Sequence, residues 1–507
     1  MRLATALAGM AGWRIAALAG LGGAVAGLGQ APFDLWLLTP PGLALVLMLV
    51  AVARDGRQAA WRGFAGGLGY FGLTLHWIVE PFFVDAARHG WMAPFALVLF
   101  AGGMALFWAV AGWLSARAVA APVWRAGLMA PVLTLAEAAR GTVLTGFPWA
   151  MPGHVLIDTA WLQAAGVAGA HGLTLLVMAA AAALAVAALA GRLPLALVLG
   201  LPFLLAPYAI PAPPEAPAPA APVVRLVQPN AAQHLKWQPD MIPVFWQRGR
   251  DLTAAPSSPA LGPPDLVIWP ETSLPVLLGR SDAARAQLSA AAGPAPVLIG
   301  AQRVEEFAAR NSLALVGPDG ALESVYDKHR LVPFGEYLPL AGLAERLNLR
   351  ALAAVLPGGY APGPGPAAFD LGPDLGRAFA MICYEAIFPR YIRTLETRPD
   401  WMAHVTNDAW FGTFSGPWQH LALARLRAAE QGLPVLRAAN TGVSAVIDAR
   451  GGIVAALPLG QAGYLDAPLP QAAPPTLYAR SGALPILAVT LALALGLTAA
   501  GRREKAH

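Results

Sequence analysis

The chain has 507 residues, 57% of them hydrophobic and only 12% charged, with a formal net charge of +5. Soluble domains carry about 25% charged residues, so this composition argues against a wholly soluble chain, and a small net charge with scattered arginines excludes a nucleic-acid footprint. The single cysteine, Cys383, excludes an intramolecular disulfide and poses a choice between a small buried hydrophobe and a reactive thiol.

In chain order, apolar runs appear near 12–30, 35–53, 61–79, 91–116, 124–139, 162–190 and 193–210, with a last one near 483–500. Each approaches the length that crosses a bilayer core. The pattern predicts a polytopic α-helical membrane domain with eight transmembrane (TM) helices in all. Arg2, Arg54, Arg57, Arg62, Arg117, Arg125, Arg192, Arg502, Arg503 and Lys505 fall at alternate ends of these runs. The opposite ends carry Glu80, Asp85, Arg88, Arg140 and Asp158. Positive charge stays on the cytoplasmic side, so both termini are expected there and residues 211–481 outside. Removing the first run as a signal peptide would break this alternation, so it is expected to be retained. Gly20–Gly27 lies inside an apolar run, as close helix packing requires. Glu137 and His76 are ionisable residues in or near spans and so functional candidates. Arg140, one helical turn from Glu137, makes a local pair the simpler reading.

Residues 211–222 form a Pro-rich, semi-rigid spacer. Short apolar runs bounded by turn residues follow at Val223–Val227, Leu266–Trp269, Val297–Gly300, Ser312–Val316, Ala378–Cys383, Met402–Thr406, Val435–Ala438 and Ser444–Ile447. Their length is that of strands. Helical stretches lie between some of them, at Asp282–Ala292 and Ala422–Gln431, which predicts an α/β sandwich. The expected organisation is a membrane domain at 1–210, a linker at 211–222, an outer domain at 223–467, a linker at 468–482, and a final TM helix with its cytoplasmic tail at 483–507.

Three expected strand ends carry chemistry: Trp269-Pro270-Glu271, Asp327-Lys328-His329 and Ile382-Cys383-Tyr384-Glu385. A thiol attacks a carbonyl best as thiolate. Glu271 is suited to take its proton, and Lys328 to favour the thiolate and stabilise an oxyanion. Singly, Glu271 and Lys328 read as a surface ion pair and Cys383 as a buried residue. Together, in a chain so poor in charge, they read as a site. The Trp410-Phe411 pair and the loop Leu340–Leu356 are candidates for a lid or a lipid-dipping surface, with ordinary packing the alternative. No Cys/His spacing fits a zinc site and no glycine pattern fits a nucleotide loop, so neither metal nor cofactor is expected.

Trp-Pro-Glu at 269–271, Asp-Lys-His-Arg-Leu-Val-Pro-Phe-Gly-Glu at 327–336 and Cys-Tyr-Glu at 383–385 resemble the Glu–Lys–Cys signature of the nitrilase (carbon–nitrogen hydrolase) superfamily. With Leu-Lys-Trp at 235–237, Thr-Asn-Asp-Ala-Trp-Phe-Gly at 406–412, Pro-Trp-Gln-His at 417–420 and Leu-Thr-Gly-Phe-Pro-Trp at 144–149, the chain resembles the apolipoprotein N-acyltransferases along its whole length. The resemblance implies a four-layer αββα catalytic domain, periplasmic, on a multi-pass protein of the bacterial inner membrane. It implies acyl transfer from a membrane phospholipid to the free amino group of a diacylglyceryl apolipoprotein, the last step of lipoprotein maturation. By the same resemblance Glu271, Lys328 and Cys383 are catalytic, Glu336, Tyr384 and Glu385 support them, and Trp237 stands on a loop over the site. With water as acceptor, the same chemistry would describe a membrane-anchored nitrilase-type amidase acting on a small C–N substrate. Eight spans exceed what an anchor needs.

Overall fold

The computed structural model of the protein describes residues 11–192, 221–339 and 359–504, with isolated positions between 193 and 210. The chain divides into two compact units. Met1–Pro213, Phe414–Ala422 and Pro475–His507 form the first, and Pro214–Thr413 with Leu423–Pro474 the second.

The first unit is helical, with Gly12–Gly27, Thr39–Ala51, Gly56–Thr74, Ala93–Ala118, Pro122–Arg140, Ala165–Ala190 and Leu484–Arg503 as its main elements. Among the described residues, three stretches are long and apolar enough to cross a membrane: Ala86–Ala118, Ala160–Ala190 and Leu484–Arg503. The expectation of eight transmembrane helices is corrected by this. Gly12–Gly27 has 16 residues and Thr39–Ala51 has 13, short of the ~20 that a hydrocarbon core demands. Gly56–Thr74 and Pro122–Arg140 have 19 each. The first carries Arg57 and Arg62, the second Arg125, Glu137, Arg140 and an internal Pro131. Apolar composition runs on through turns where the helical hydrogen bonds stop, so a run in sequence overstates the helix. The run expected at 193–210 lies almost wholly outside the described residues.

Small residues bring these helices together. Gly23 lies on the carbonyl of Gly66, and Gly69 on that of Gly20, so that a Cβ at either glycine would overlap backbone. Several polar groups inside the unit are paired. Glu137 accepts from Trp108 Nε1 at 2.8 Å and from Arg140 Nε at 3.1 Å. Gln419 uses its whole amide. Its Oε1 accepts from Trp149 Nε1 at 2.7 Å and Trp77 Nε1 at 3.2 Å, and its Nε2 donates to the carbonyls of Ala31 and Thr74 at 3.0 Å each. His76 Nε2 meets the Ser415 hydroxyl at 3.1 Å.

The second unit contains two six-stranded sheets. The strands of the first are β1 (Val223–Gln228), β2 (Leu266–Ile268), β3 (Val297–Glu305), β4 (Ala308–Val316), β5 (Leu322–Asp327) and β12 (Gly463–Pro468), in the order β12-β1-β2-β3-β4-β5. Those of the second are β6 (Ala368–Asp370), β7 (Arg377–Ile382), β8 (Trp401–Thr406), β9 (Val435–Ala439), β10 (Ser444–Ile447) and β11 (Ile453–Leu457), in the order β11-β10-β9-β8-β7-β6. The central strands β1, β2 and β3 run parallel, as do β7, β8 and β9, and the flanking strands are antiparallel. Leu226, Ile268, Leu298 and Leu313 of one sheet meet Ala380, Ile382, Val405 and Leu436 of the other in a single buried core. On its far side the first sheet packs Val267, Trp269 and Ile299 against Trp246 and Leu288 of helices Ile242–Ala254 and Asp282–Ala292. The second unit also holds the Leu423–Gln431 part of helix Gly416–Gln431, with Leu423, Ala424, Leu426 and Ala428 buried. The order helix, sheet, sheet, helix is the expected αββα sandwich.

In the first unit, Gln419→Leu strands two indole N–H groups and two carbonyls, each worth about 1–3 kcal/mol when buried unsatisfied. The variant is expected to unfold at a clearly lower temperature than wild type in detergent. An unchanged midpoint would refute the hub.

Candidate active site

Each candidate side chain leaves a strand end of the second unit. β2 stops at Ile268 and Glu271 follows two residues after Trp269; β5 stops at Asp327 and Lys328 is next; β7 stops at Ile382 and Cys383 is next. Cys383 has φ of 50° and begins a tight turn, Cys383–Ile387. A left-handed conformation at a residue with a side chain costs of order 1–3 kcal/mol and is retained where surrounding contacts enforce it. Here Glu385 does so. Its carboxylate accepts from the N–H of Ile382 at 2.8 Å, of His329 at 2.9 Å, of Arg330 at 3.1 Å, and from the Tyr326 hydroxyl at 2.7 Å. One buried side chain thus ties the turn after β7 to the segment after β5.

Lys328 is 1% exposed. Its ammonium lies 2.9 Å from Glu336 Oε1 and 3.6 Å from Glu271 Oε1. Burial alone would drive its pKa down; Glu336 and Glu271, with the Cys383 thiol behind them, more than reverse this and hold it above the ordinary lysine value. The ammonium therefore stays charged through the physiological range. Asn311 Nδ2 bridges the two acids, at 2.7 Å from Glu271 Oε1 and 3.0 Å from Glu336 Oε1. The Asn407 N–H donates to Glu271 Oε2 at 2.9 Å, and the Val332 N–H to Glu336 Oε2 at 2.8 Å.

The Cys383 thiol is pushed well above the usual cysteine range, first by burial and then by the charge of Glu271. Lys328 and a hydrogen bond from Thr406 pull the other way without winning. The resting sulfur is therefore a thiol, and its attack on a carbonyl requires a base to remove the proton as the bond forms. The arrangement is built for that: an acid, an ammonium and a thiol coupled electrostatically at the edge of a packed core.

The structure brings Glu271, Lys328, Glu336 and Cys383 together, with Glu385 behind the turn. Tyr384 is buried and meets Phe388 edge-on at 5.1 Å. Trp237 is 42% exposed and borders a small cavity with Lys236, Thr272 and Asn440. Trp410 is 40% exposed, whereas Phe411 packs on the core between the sheets. The loop Leu340–Leu356 lies outside the described residues. Four polar participants were not singled out by the sequence: Asn311, Thr406, Asn407 and Lys236. The last three lie in motif stretches quoted above; Asn311 sits in mid-strand, and nothing in its neighbourhood distinguishes it before the sheet is folded.

A thiol, an acid and a buried ammonium on an αββα sandwich, in a chain with membrane-crossing helices, define a membrane-bound enzyme of the carbon–nitrogen hydrolase type. Residues 22–183 match the family model described as apolipoprotein N-acyltransferase N-terminal domain, and residues 224–473 match carbon-nitrogen hydrolase. An apolipoprotein N-acyltransferase of Caulobacter vibrioides is 40% identical, covering 94% of this chain and 93% of its own, and one of Rhodopseudomonas palustris is 38% identical, covering 97% and 96%. A solved amidase from Nesterenkonia sp. overlays with a TM-score of 0.36 at 17% identity, covering 54% of this chain and 97% of its own. The chain belongs to the apolipoprotein N-acyltransferase family, and it is a multi-pass membrane acyltransferase.

Because Lys328 opposes burial at the sulfur, Lys328→Met is expected to raise the thiol further. Alkylation of Cys383 by iodoacetamide at neutral pH, followed by intact-protein mass spectrometry, should slow by at least about tenfold, one pKa unit of lost thiolate. An unchanged rate would separate Lys328 from the thiol.

Proposed function

We propose that Cys383 carries a fatty acyl chain from a membrane phospholipid to the α-amino group of a diacylglyceryl-cysteine at the start of an apolipoprotein. The observation that carries this reading is the cluster in which Lys328 stands between Glu271 and Glu336 and acts with Glu271 on the single thiol. In the first half, Glu271 takes the thiol proton as sulfur bonds to the ester carbonyl carbon. The tetrahedral oxyanion faces the Lys328 ammonium, the C–O bond breaks, and the proton passes from Glu271 to the departing lysophospholipid oxygen. In the second half the amine nitrogen attacks the thioester, Glu271 takes its proton, the C–S bond breaks, and Glu271 returns that proton to the sulfur. This is ping-pong chemistry. Tyr384, Glu336 and Glu385 hold the site, and Trp237, Trp410 and Phe411 shield the thioester from water.

A soluble domain would have to extract both lipids, at about 0.8 kcal/mol per methylene; a domain fused to spanning helices avoids this. We place the catalytic domain, 223–467, in the periplasm and the termini in the cytoplasm. In support, Arg502 Nε donates to the Ala118 carbonyl at 3.1 Å, so the Arg117 and Arg502–Arg503 ends of two spanning helices share one side, as the positive-inside bias favours. The segments 211–222 and 468–482 act as linkers.

Incubating the protein with phospholipid alone is expected to add one acyl mass to the peptide holding Cys383, labile to hydroxylamine, with release of lysophospholipid. A diacylglyceryl peptide with a free amine should discharge it and one with a blocked amine should not. Acyl mass retained in Cys383→Ala would overturn the assignment, and discharge by water at the same rate would make the protein an esterase.

A further inference from the structure

Lys236 is buried, at 7% exposure, yet the mechanism above does not use it. Lysines are almost never buried unless paired with an acid. Among the described residues no carboxylate lies within ion-pair distance of this one. Its ammonium instead donates to two neutral oxygens, the main-chain carbonyl of Glu271 at 3.2 Å and the Thr272 hydroxyl at 3.1 Å. Thr272 has φ of 47°. A β-branched residue in the left-handed region is a backbone outlier, and it immediately follows the acid that must meet the thiol. From the other side Gly300 lies flat on this turn; a Cβ there would fall 2.5 Å from Glu271 Cα and from Thr272 N.

We propose that Lys236 is a positioning residue for acyl transfer: by clamping the carbonyl of Glu271 and the hydroxyl of Thr272 it holds a strained turn that keeps the Glu271 carboxylate aimed at Lys328 and the thiol. The inference rests on the Cys383 reading above. The carboxylate end of Glu271 is held by Asn311 and the Asn407 N–H, and Lys236 holds its backbone end. A relaxed turn would swing the carboxylate away from both partners.

Burial lowers the Lys236 pKa to about 8, with Glu271 opposing only in part. A lysine that binds its proton more weakly folded than unfolded makes stability rise with pH between about 8 and 10.5. Below that window the desolvation cost of the charged form offsets part of what its two hydrogen bonds contribute.

The test uses the full chain in detergent and follows acyl-adduct formation on Cys383 from phospholipid. Lys236→Met is expected to slow this step about 100-fold, the scale of a 1 Å misplacement. The half-saturating phospholipid concentration should stay within about twofold, and the protein should remain fully folded at the assay temperature. Thr272→Val, which removes one of the two acceptors, should slow the step by roughly tenfold, and the double variant should be no slower than Lys236→Met, as residues acting through one contact require. An unchanged rate in Lys236→Met, a rate loss that tracks the fraction unfolded at the assay temperature, or additive losses in the double variant would each overturn the proposal. A wild type that forms no adduct would sink the Cys383 reading and this inference with it; a wild type that forms it, equalled by Lys236→Met, would sink this inference alone.

Discussion

A single buried ammonium between two carboxylates organises the catalytic unit. Lys328 at 1% exposure would be costly to hold charged without Glu271 and Glu336 beside it, and each acid would be costly without Lys328. These three groups come from separate stretches of chain, so the cluster forms only when β2, β5 and the segment through Glu336 have reached their places. Asn311, in the middle of β4, then bridges the acids. Burial first, and the charge of Glu271 second, outweigh Lys328 at the sulfur, which is why Cys383 rests as a thiol. The site stores no free thiolate, so in the proposed mechanism deprotonation accompanies attack.

The same concern with directing polar groups governs the turn at the nucleophile. Cys383 is held in a left-handed conformation by the hydrogen bonds that Glu385 accepts from the backbone of Ile382, His329 and Arg330. Glu271 precedes another left-handed residue, Thr272, which Lys236 clamps. The left-handed backbone at Cys383 and beside Glu271 is thus accompanied by buried hydrogen bonds within the same unit. Hydrogen bonds in a low-dielectric interior are stronger than in water, and they hold these two segments in place.

In the helical unit, polar groups serve cohesion. Glu137 pairs with Arg140 and Trp108, and Gln419 joins segments carrying Ala31, Thr74, Trp77 and Trp149. Without a hydrophobic drive between helices in lipid, close glycine contacts and interhelical hydrogen bonds are the available means of association. The two motif stretches at 144–149 and 417–420 meet here: Trp149 donates to Gln419 and stacks with His420 at 5.4 Å.

What could be read in the sequence was what composition and local order express directly. The central strands of both sheets are buried on two faces, so they appear as continuous apolar runs, and all eight were visible. The edge strands β5, β6, β11 and β12 were not, because their residues are largely half-exposed and their polar content hides the period. Glu271, Lys328 and Cys383 were legible because each closes a strand with a chemically unusual residue in a chain poor in charge. Apolar run length, by contrast, overstated the number of crossing helices, since it does not record where the helical backbone stops or where Arg62, Arg125 and Glu137 are buried among neighbours. Only the tertiary structure decided that Glu336 joins Lys328, that Glu385 braces the nucleophile's turn, and that Asn311 and Lys236 hold Glu271. Those relations are between residues distant in the chain, and they exist only after the sheets have packed.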